Sequence, residues 1–291
     1  MSAGLLPFVE RAARLALNLQ GFESRSFDTG ASRLHVYDAR GAGDLPTTVV
    51  LHGIGSAATP FGRVLTRLRP HARRVIAPDL PGHGWSAAPA APMSVELFFE
   101  ALCELLEPLA DEPFVLVGNS FGGALALRYA LEYPQRLHGL VLISPAGAQM
   151  SPAEWQALLD SFRVQSTQDA RRLLERLYHR MPLYMPAFAS GLRASLQRKV
   201  VTDLLHSATP QDLPAPERLA ELAMPVLLLW GQSERILPPS SLAYFRRHLP
   251  EHALIEEPEG FGHCPHIDDP ARLSQRLIDF IAATRNDPTP R

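Results

Sequence analysis

The chain has 291 residues, 46% of them apolar, and a formal net charge of −2. That length suits one α/β domain carrying an insertion, or two small domains, and the apolar share is ample for a sheet buried on both faces. The charge balance leaves no basic surplus for nucleic acid, and two cysteines, Cys103 and Cys264, are too few for a disulfide-stapled secreted fold. They suit a reducing compartment, so a cytoplasmic location is expected.

At the N-terminus Leu5, Leu6, Phe8, Val9, Ala12, Ala13, Leu15, Ala16 and Leu19 recur at helical spacing, interrupted by Glu10, Arg11 and Arg14. The run is too short and too polar to cross a membrane, and it lacks the unbroken apolar stretch of a signal peptide. An amphipathic helix packed on the domain is expected, with weak membrane-surface contact as the alternative use of its apolar face. Residues 33–37 and 47–51 read as strands, 61–68 as a helix, and 74–77 as a strand stopped by Pro78. Residues 94–109 form an amphipathic helix pattern with Ser94 as N-cap. The unbroken apolar run 114–117 fits a strand buried on both faces, and a helix follows from about 122 to 133, ended by Pro134. Residues 140–143, 226–230 and 253–255 are further strand candidates. This alternation predicts an α/β fold with an open, mostly parallel sheet.

Residues 147–222 have little strand character. Ser151-Pro152-Ala153-Glu154 and Ser166-Thr167-Gln168-Asp169 carry helix-start signals, and Leu173, Leu174, Leu177 and Tyr178 give the second helix an apolar face. The segment reads as a helical cap inserted in a core made of 1–146 and 223–291. So long a connection in a compact domain is usually functional.

The strongest chemical signal is Gly118-Asn119-Ser120-Phe121-Gly122, between an apolar strand and a helix. A tight turn there holds the serine out at the carboxyl edge of the sheet, before a helix N-terminus that favours developing negative charge. A serine hydroxyl needs a base, and the chain order serine, acid, histidine is met by Glu234, after the strand 226–230, and His263, after Gly260-Phe261-Gly262. His263 would accept the Ser120 proton and return it to the leaving group, with Glu234 holding the imidazole. An exposed loop carboxylate is the alternative reading of Glu234, and Asp268 is the other candidate acid. An oxyanion needs two backbone donors. Phe121, after the nucleophile, supplies one; the loop His52-Gly53-Ile54-Gly55 supplies the other at Ile54, or at Gly53, with His52 bracing the loop. His263-Cys264-Pro265-His266 could suggest a metal, but no second Cys/His cluster of suitable spacing accompanies it, so neither metal nor cofactor is expected.

These segments resemble the α/β-hydrolase superfamily over nearly the whole chain. His52-Gly53 resembles its oxyanion loop, and Asp79-Leu80-Pro81-Gly82-His83-Gly84-Trp85-Ser86 resembles its D-x-P-G-H-G-x-S turn. Ser120, Glu234 and His263 fall on its nucleophile, acid and base positions, Glu234 departing from the more usual aspartate. The resemblance implies the α/β-hydrolase fold with a helical cap. Members that place aspartate at the elbow are disfavoured by Ser120. The remainder is similar to monoacylglycerol-lipase-type esterases and to meta-cleavage-product hydrolases, which cut carbon–carbon bonds. Cys264-Pro265 after the histidine and Ser56-Ala57-Ala58 in the oxyanion loop favour the esterases. The expectation is hydrolysis of a small-molecule carboxylic ester through an acyl-enzyme. A carbon–carbon hydrolase, or a receptor that keeps the triad, is the alternative. Met181, Leu183, Tyr184, Met185 and Phe188, in a proline-broken run with few charges, are expected to wall an apolar acyl pocket.

Overall fold

Val49, Leu51, Leu116, Leu140, Leu142 and Leu228 are buried in one core layer, while Val50, Val115, Val117, Val141, Ile143, Leu227 and Leu229 are buried in another. Alternate residues of each strand therefore meet apolar neighbours on both faces of a sheet, as a covered parallel sheet requires. The computed structural model describes residues 6–109 and 112–284; Leu5 of the N-terminal pattern lies outside them. Its strands are β1 (Glu23–Asp28), β2 (Arg33–Arg40), β3 (Thr48–Leu51), β4 (Arg74–Pro78), β5 (Phe114–Asn119), β6 (Leu137–Ile143), β7 (Val226–Leu229) and β8 (Leu254–Glu256).

The spatial order is β1-β2-β4-β3-β5-β6-β7-β8. β1 with β2 and β2 with β4 pair antiparallel; every pair from β4 to β8 is parallel. The chain thus steps outward from β3 to β4 and then returns across β3 to β5. At such a reversal the loops after neighbouring strands diverge and leave a crevice at their carboxyl ends. Here those are the loop after β3 and the turn after β5.

The expected strands are present, β2, β4, β5 and β6 with longer ends, β3 and β7 one residue shorter and β8 shifted by one, and β1 is an addition. Its sequence, Glu-Ser-Arg-Ser-Phe-Asp, is polar and half exposed, because it lies at the sheet edge and pairs on one side only. The N-terminal helix, Leu6–Leu19, buries Leu17 and leaves Phe8, Val9, Leu15 and Leu19 exposed, with Arg14 over the Trp85 ring at 4.6 Å. Among the described residues no helix is long and apolar enough to cross a membrane.

Between β6 and β7 the chain forms the inserted helical cap, with helices Pro152–Phe162, Thr167–Leu177, Ala189–Leu196 and Lys199–Ser207 and the short turn of helix Pro216–Leu219. The first two begin at Ser151 and Ser166, each with a reciprocal capping box to Glu154 and Asp169.

At Gly122 the helix after β5, Phe121–Glu132, approaches the end of β3 so closely that no side chain fits between them. A Cβ on Gly122 would lie 2.5 Å from the His52 carbonyl oxygen and 2.8 Å from that of Leu51. Gly122→Ala must therefore push the helix off the end of β3. A loss of about 1–3 kcal/mol is expected, the range of overpacked cores, read as a lower midpoint in urea unfolding.

Candidate active site

Gly118, the next-to-last residue of β5, lies against the following helix: a Cβ there would lie 2.3 Å from the Gly122 carbonyl oxygen. With no room to widen, the chain turns at Ser120 in φ 55°, ψ −119°, a conformation that costs a non-glycine residue about 1–3 kcal/mol. Three bonds hold it. Ser120 N donates to Ile143 O (3.1 Å), and Ser120 O accepts from Ala124 N (3.1 Å) and Ala146 N (2.9 Å). Asn119 adds a clamp that spacing could not show: its Nδ2 donates to the carbonyls of both Ile143 and His263, each at 3.0 Å. The nucleophile turn and the histidine loop, 144 residues apart, are tied by this one buried amide.

His263 is buried, and its Nδ1 lies 2.8 Å from Glu234 Oε2. Glu234 Oε1 accepts from Ile236 N (2.7 Å) and Leu237 N (3.0 Å), which fixes the longer glutamate in one pose. Burial pushes the Glu234 pKa up; the His263 ring, their hydrogen bond and the Leu237 N–H outweigh it and hold the carboxyl below its ordinary range. Glu234 is thus no exposed loop carboxylate. Asp268 faces elsewhere: its oxygens accept from His179 N (2.9 Å) and Gly262 N (2.7 Å), and burial raises its pKa. Among the described residues His263 Nε2 has no hydrogen-bond partner, Ser120 Oγ included; such pairs often tighten only around a substrate. Both side chains line one cavity.

The oxyanion loop is set by two neutral histidines. His52 Nδ1 donates to Gly53 O (2.8 Å) and its Nε2 accepts from Leu80 N (3.0 Å). His83 Nδ1 donates to Pro81 O (2.9 Å) and its Nε2 accepts from Gly55 N (3.0 Å). A backbone N–H can only donate, so each ring carries its proton on Nδ1. Burial, with the neighbouring His52, lowers the His83 pKa to about 3. Asp79 accepts from Ala58 N, Trp85 N and His35 and closes the brace. The Asp79–Ser86 turn is therefore the support of the oxyanion loop. Gly53 lies against Ser120: a Cβ on it would be 3.0 Å from Ser120 Cβ. Among the described residues the N–H groups of Ile54 and Phe121 have no protein acceptor.

The cavity holding Ser120 and His263 has a volume of about 320 Å³ and mostly apolar walls, including Leu174, Tyr178 and Leu196. Tyr184, Met185 and Phe188 line it as expected. Met181 and Leu183 do not. The turn at Pro182, closed by Met185 N to Pro182 O at 2.9 Å, swings Leu183 fully into solvent (100% exposed), and Met181 packs against the core. Sequence patterning missed Val9, Glu10 and Ala13 of the N-terminal helix, and Arg198, all at this cavity. It also missed a second cavity of about 110 Å³ across Ser120, walled by Trp155, Leu158 and Leu159. His266 stacks on Phe61 at 3.8 Å, and burial lowers its pKa to about 3. No group of three or more metal-binding side chains converges among the described residues.

The family model for the alpha/beta hydrolase fold matches residues 46–270. A 2-hydroxy-6-oxo-2,4-heptadienoate hydrolase of Pseudomonas putida is 30% identical over 279 residues, 87% of this chain and 94% of that protein. A pimeloyl-[acyl-carrier protein] methyl ester esterase of Yersinia enterocolitica is 28% identical over 245 residues, 80% of this chain and 92% of that one. Among solved structures, a bacterial membrane phospholipase A superposes with a TM-score of 0.82 at 25% identity, covering 97% of this chain and 94% of its own.

Two outcomes are expected of this geometry. Glu234→Gln should lower kcat by about a hundredfold or more with KM little changed, and Asp268→Asn far less, in steady-state assays with an ester substrate. The buried histidines bear on stability. His83 and His266 stay neutral when folded but take up protons when unfolded, so stability is full above pH about 6.5 and falls as pH drops toward about 3. Urea unfolding at about pH 7 and about pH 5 should show the loss.

Proposed function

The chain belongs to the α/β-hydrolase fold family, and from that membership we propose that it hydrolyses a carboxylic ester with apolar substituents through an acyl-enzyme on Ser120. It is a hydrolytic enzyme, and serine-hydrolase chemistry is common ground for the reading. The observation that carries the rest is the Glu234–His263 pair, 2.8 Å apart, whose His263 opens with Ser120 on one apolar cavity.

In this mechanism His263 Nε2 takes the Ser120 Oγ proton as Oγ attacks the ester carbonyl. The oxyanion is held by the N–H groups of Ile54 and Phe121, aided by the N-terminus of the helix Phe121–Glu132. Glu234 keeps the imidazole proton on Nδ1 and stabilises the imidazolium. His263 then protonates the departing alkoxide and, in the second half, activates water against the acyl-enzyme.

Carbon–carbon cleavage is a second reading, favoured by the relatedness to the Pseudomonas putida dienoate hydrolase and by Arg198 at the cavity wall, a cation suited to an anionic substrate. Against it stand the largely apolar walls and the pairing of Arg198 with local partners: it donates to Gly82 O at 3.2 Å and feels the charge of Glu10.

A panel of p-nitrophenyl esters should be turned over repeatedly and a vinylogous 1,5-diketone should not. A fluorophosphonate should label Ser120, and Ser120→Ala should abolish both labelling and turnover. Cleavage of the diketone with no ester turnover would replace ester hydrolysis with the carbon–carbon reading.

A further inference from the structure

Ser120 stands between two apolar cavities. The larger, about 320 Å³, is lined by His263, Cys264 and His266; the smaller, about 110 Å³, by Phe121, Trp155, Leu158 and Leu159. Ser120, Ile54 and Phe162 line both, so the cavities meet at the nucleophile. Neither His263 nor its neighbours reach the smaller one, and Phe121 does not reach the larger.

We propose that the two cavities divide one substrate: the larger receives the departing alcohol and the smaller the acyl group. The assignment rests on the ester-hydrolase reading and makes it more specific. A compact apolar acyl group joined to a larger apolar alcohol is the substrate class that fits.

The argument is one of proton geometry. When the Oγ–carbonyl bond forms and the ester C–O bond breaks, the proton taken from Ser120 Oγ passes through His263 Nε2 to the alkoxide oxygen. That oxygen must be within hydrogen-bond reach of His263, which places the alcohol on the larger cavity's side. The carbonyl oxygen turns to the N–H groups of Ile54 and Phe121. The one remaining substituent of the carbonyl carbon, the acyl chain, then leads away from His263, past Phe121, into the smaller cavity. After the alcohol leaves, water enters the emptied side, gives its proton to His263 and attacks the acyl carbon; the acyl–Oγ bond then breaks, His263 returns the proton to Ser120 Oγ, and the acid departs from the smaller cavity.

The lining charges agree with apolar contents. At the smaller cavity Arg128 is paired with Glu96 and Glu132, and the Asp212 carboxylate is bound by Thr209 N and Oγ1. The assignment also changes the role expected of Tyr184, Met185 and Phe188. They wall the larger cavity, so they select the alcohol, not the acyl chain.

Pre-steady-state kinetics separates the two, because deacylation depends on the acyl group alone. Esters are varied in two series, acyl length at one alcohol and alcohol size at one acyl group. For the wild type, kcat/KM should rise about fourfold per acyl methylene until the smaller cavity fills. Leu158→Trp should shorten the best acyl chain and change the deacylation rate constant, leaving the alcohol series in its wild-type order. Trp155→Ala, which opens the same cavity, should lengthen it. Phe188→Ala should reorder the alcohol series and leave the deacylation rate constant of a given acyl group unchanged. Labelling by a small fluorophosphonate and the thermal midpoint report that each variant is folded. The assignment is overturned if Leu158→Trp and Trp155→Ala move the alcohol series, if Phe188→Ala moves deacylation, or if no variant moves either series. A wild-type enzyme that is labelled but cleaves no ester instead fails the ester reading itself.

Discussion

The site depends on one close approach, that of the helix Phe121–Glu132 to the ends of β3 and β5. Gly118 and Gly122 allow it, and Ser120 takes the unfavourable backbone conformation it enforces. That conformation persists because the turn is fixed on both sides, by Ile143 O on the sheet and by Ala124 N and Ala146 N above it. The result is that the position of Ser120, the proposed nucleophile, is dictated by backbone packing and not by its own side chain. It also brings the oxyanion loop to the right depth, because the carbonyls that a Gly122 Cβ would strike belong to Leu51 and His52, where that loop begins.

The loop itself is held by polar groups buried without charge, apart from Asp79. His52 and His83 use both ring nitrogens on backbone partners, so neither has a site left for catalytic proton transfer. Burying a neutral ring with both nitrogens satisfied is inexpensive compared with burying an imidazolium. Two histidines within hydrogen-bond distance of the oxyanion loop are thereby structural, while His263, with Nδ1 on Glu234 and Nε2 unpaired among the described residues, is the one the proposed mechanism uses. Preset donors need no reorganisation during the reaction, which is where such sites gain most of their effect.

What the sequence showed and what it hid divides along the range of the interactions. The turn at Ser120 is legible because its strand, glycines and helix are contiguous, and the order of strand ends points on to Glu234 and His263, which the fold brings into hydrogen-bond contact. The Asn119 clamp was not legible, since its partners are 24 and 144 residues away. Trp155, Leu158 and Leu159 read as the packing face of a helix; only the fold shows that this face borders a cavity at Ser120. Leu183 is misplaced by the sequence reading because a four-residue proline turn has no periodicity from which to read which side faces inward. β1 was missed because an edge strand need not alternate.

The cap is joined to the catalytic loops more firmly than an insertion needs to be. Leu177 O accepts from Cys264 N, the residue after His263, and Asp268 bridges His179 N in the cap to Gly262 N in the histidine loop. On the acid loop, Ser233 Oγ lies 2.7 Å from His179 Nδ1, and Arg235 donates to Tyr178 O. The segment Leu177-Tyr178-His179 therefore touches both loops that carry the Glu234–His263 pair, while Tyr178 lines the larger cavity between them. Gly262 leaves no room for slack: a Cβ there would lie 2.7 Å from His179 N. A ligand that shifts the backbone at Tyr178 would also disturb the contacts that hold the histidine loop in place. Short backbone contacts therefore link the wall of the larger cavity to the loop that carries His263. Selection of the group that occupies this cavity can then act on the proton-transfer step as well as on binding.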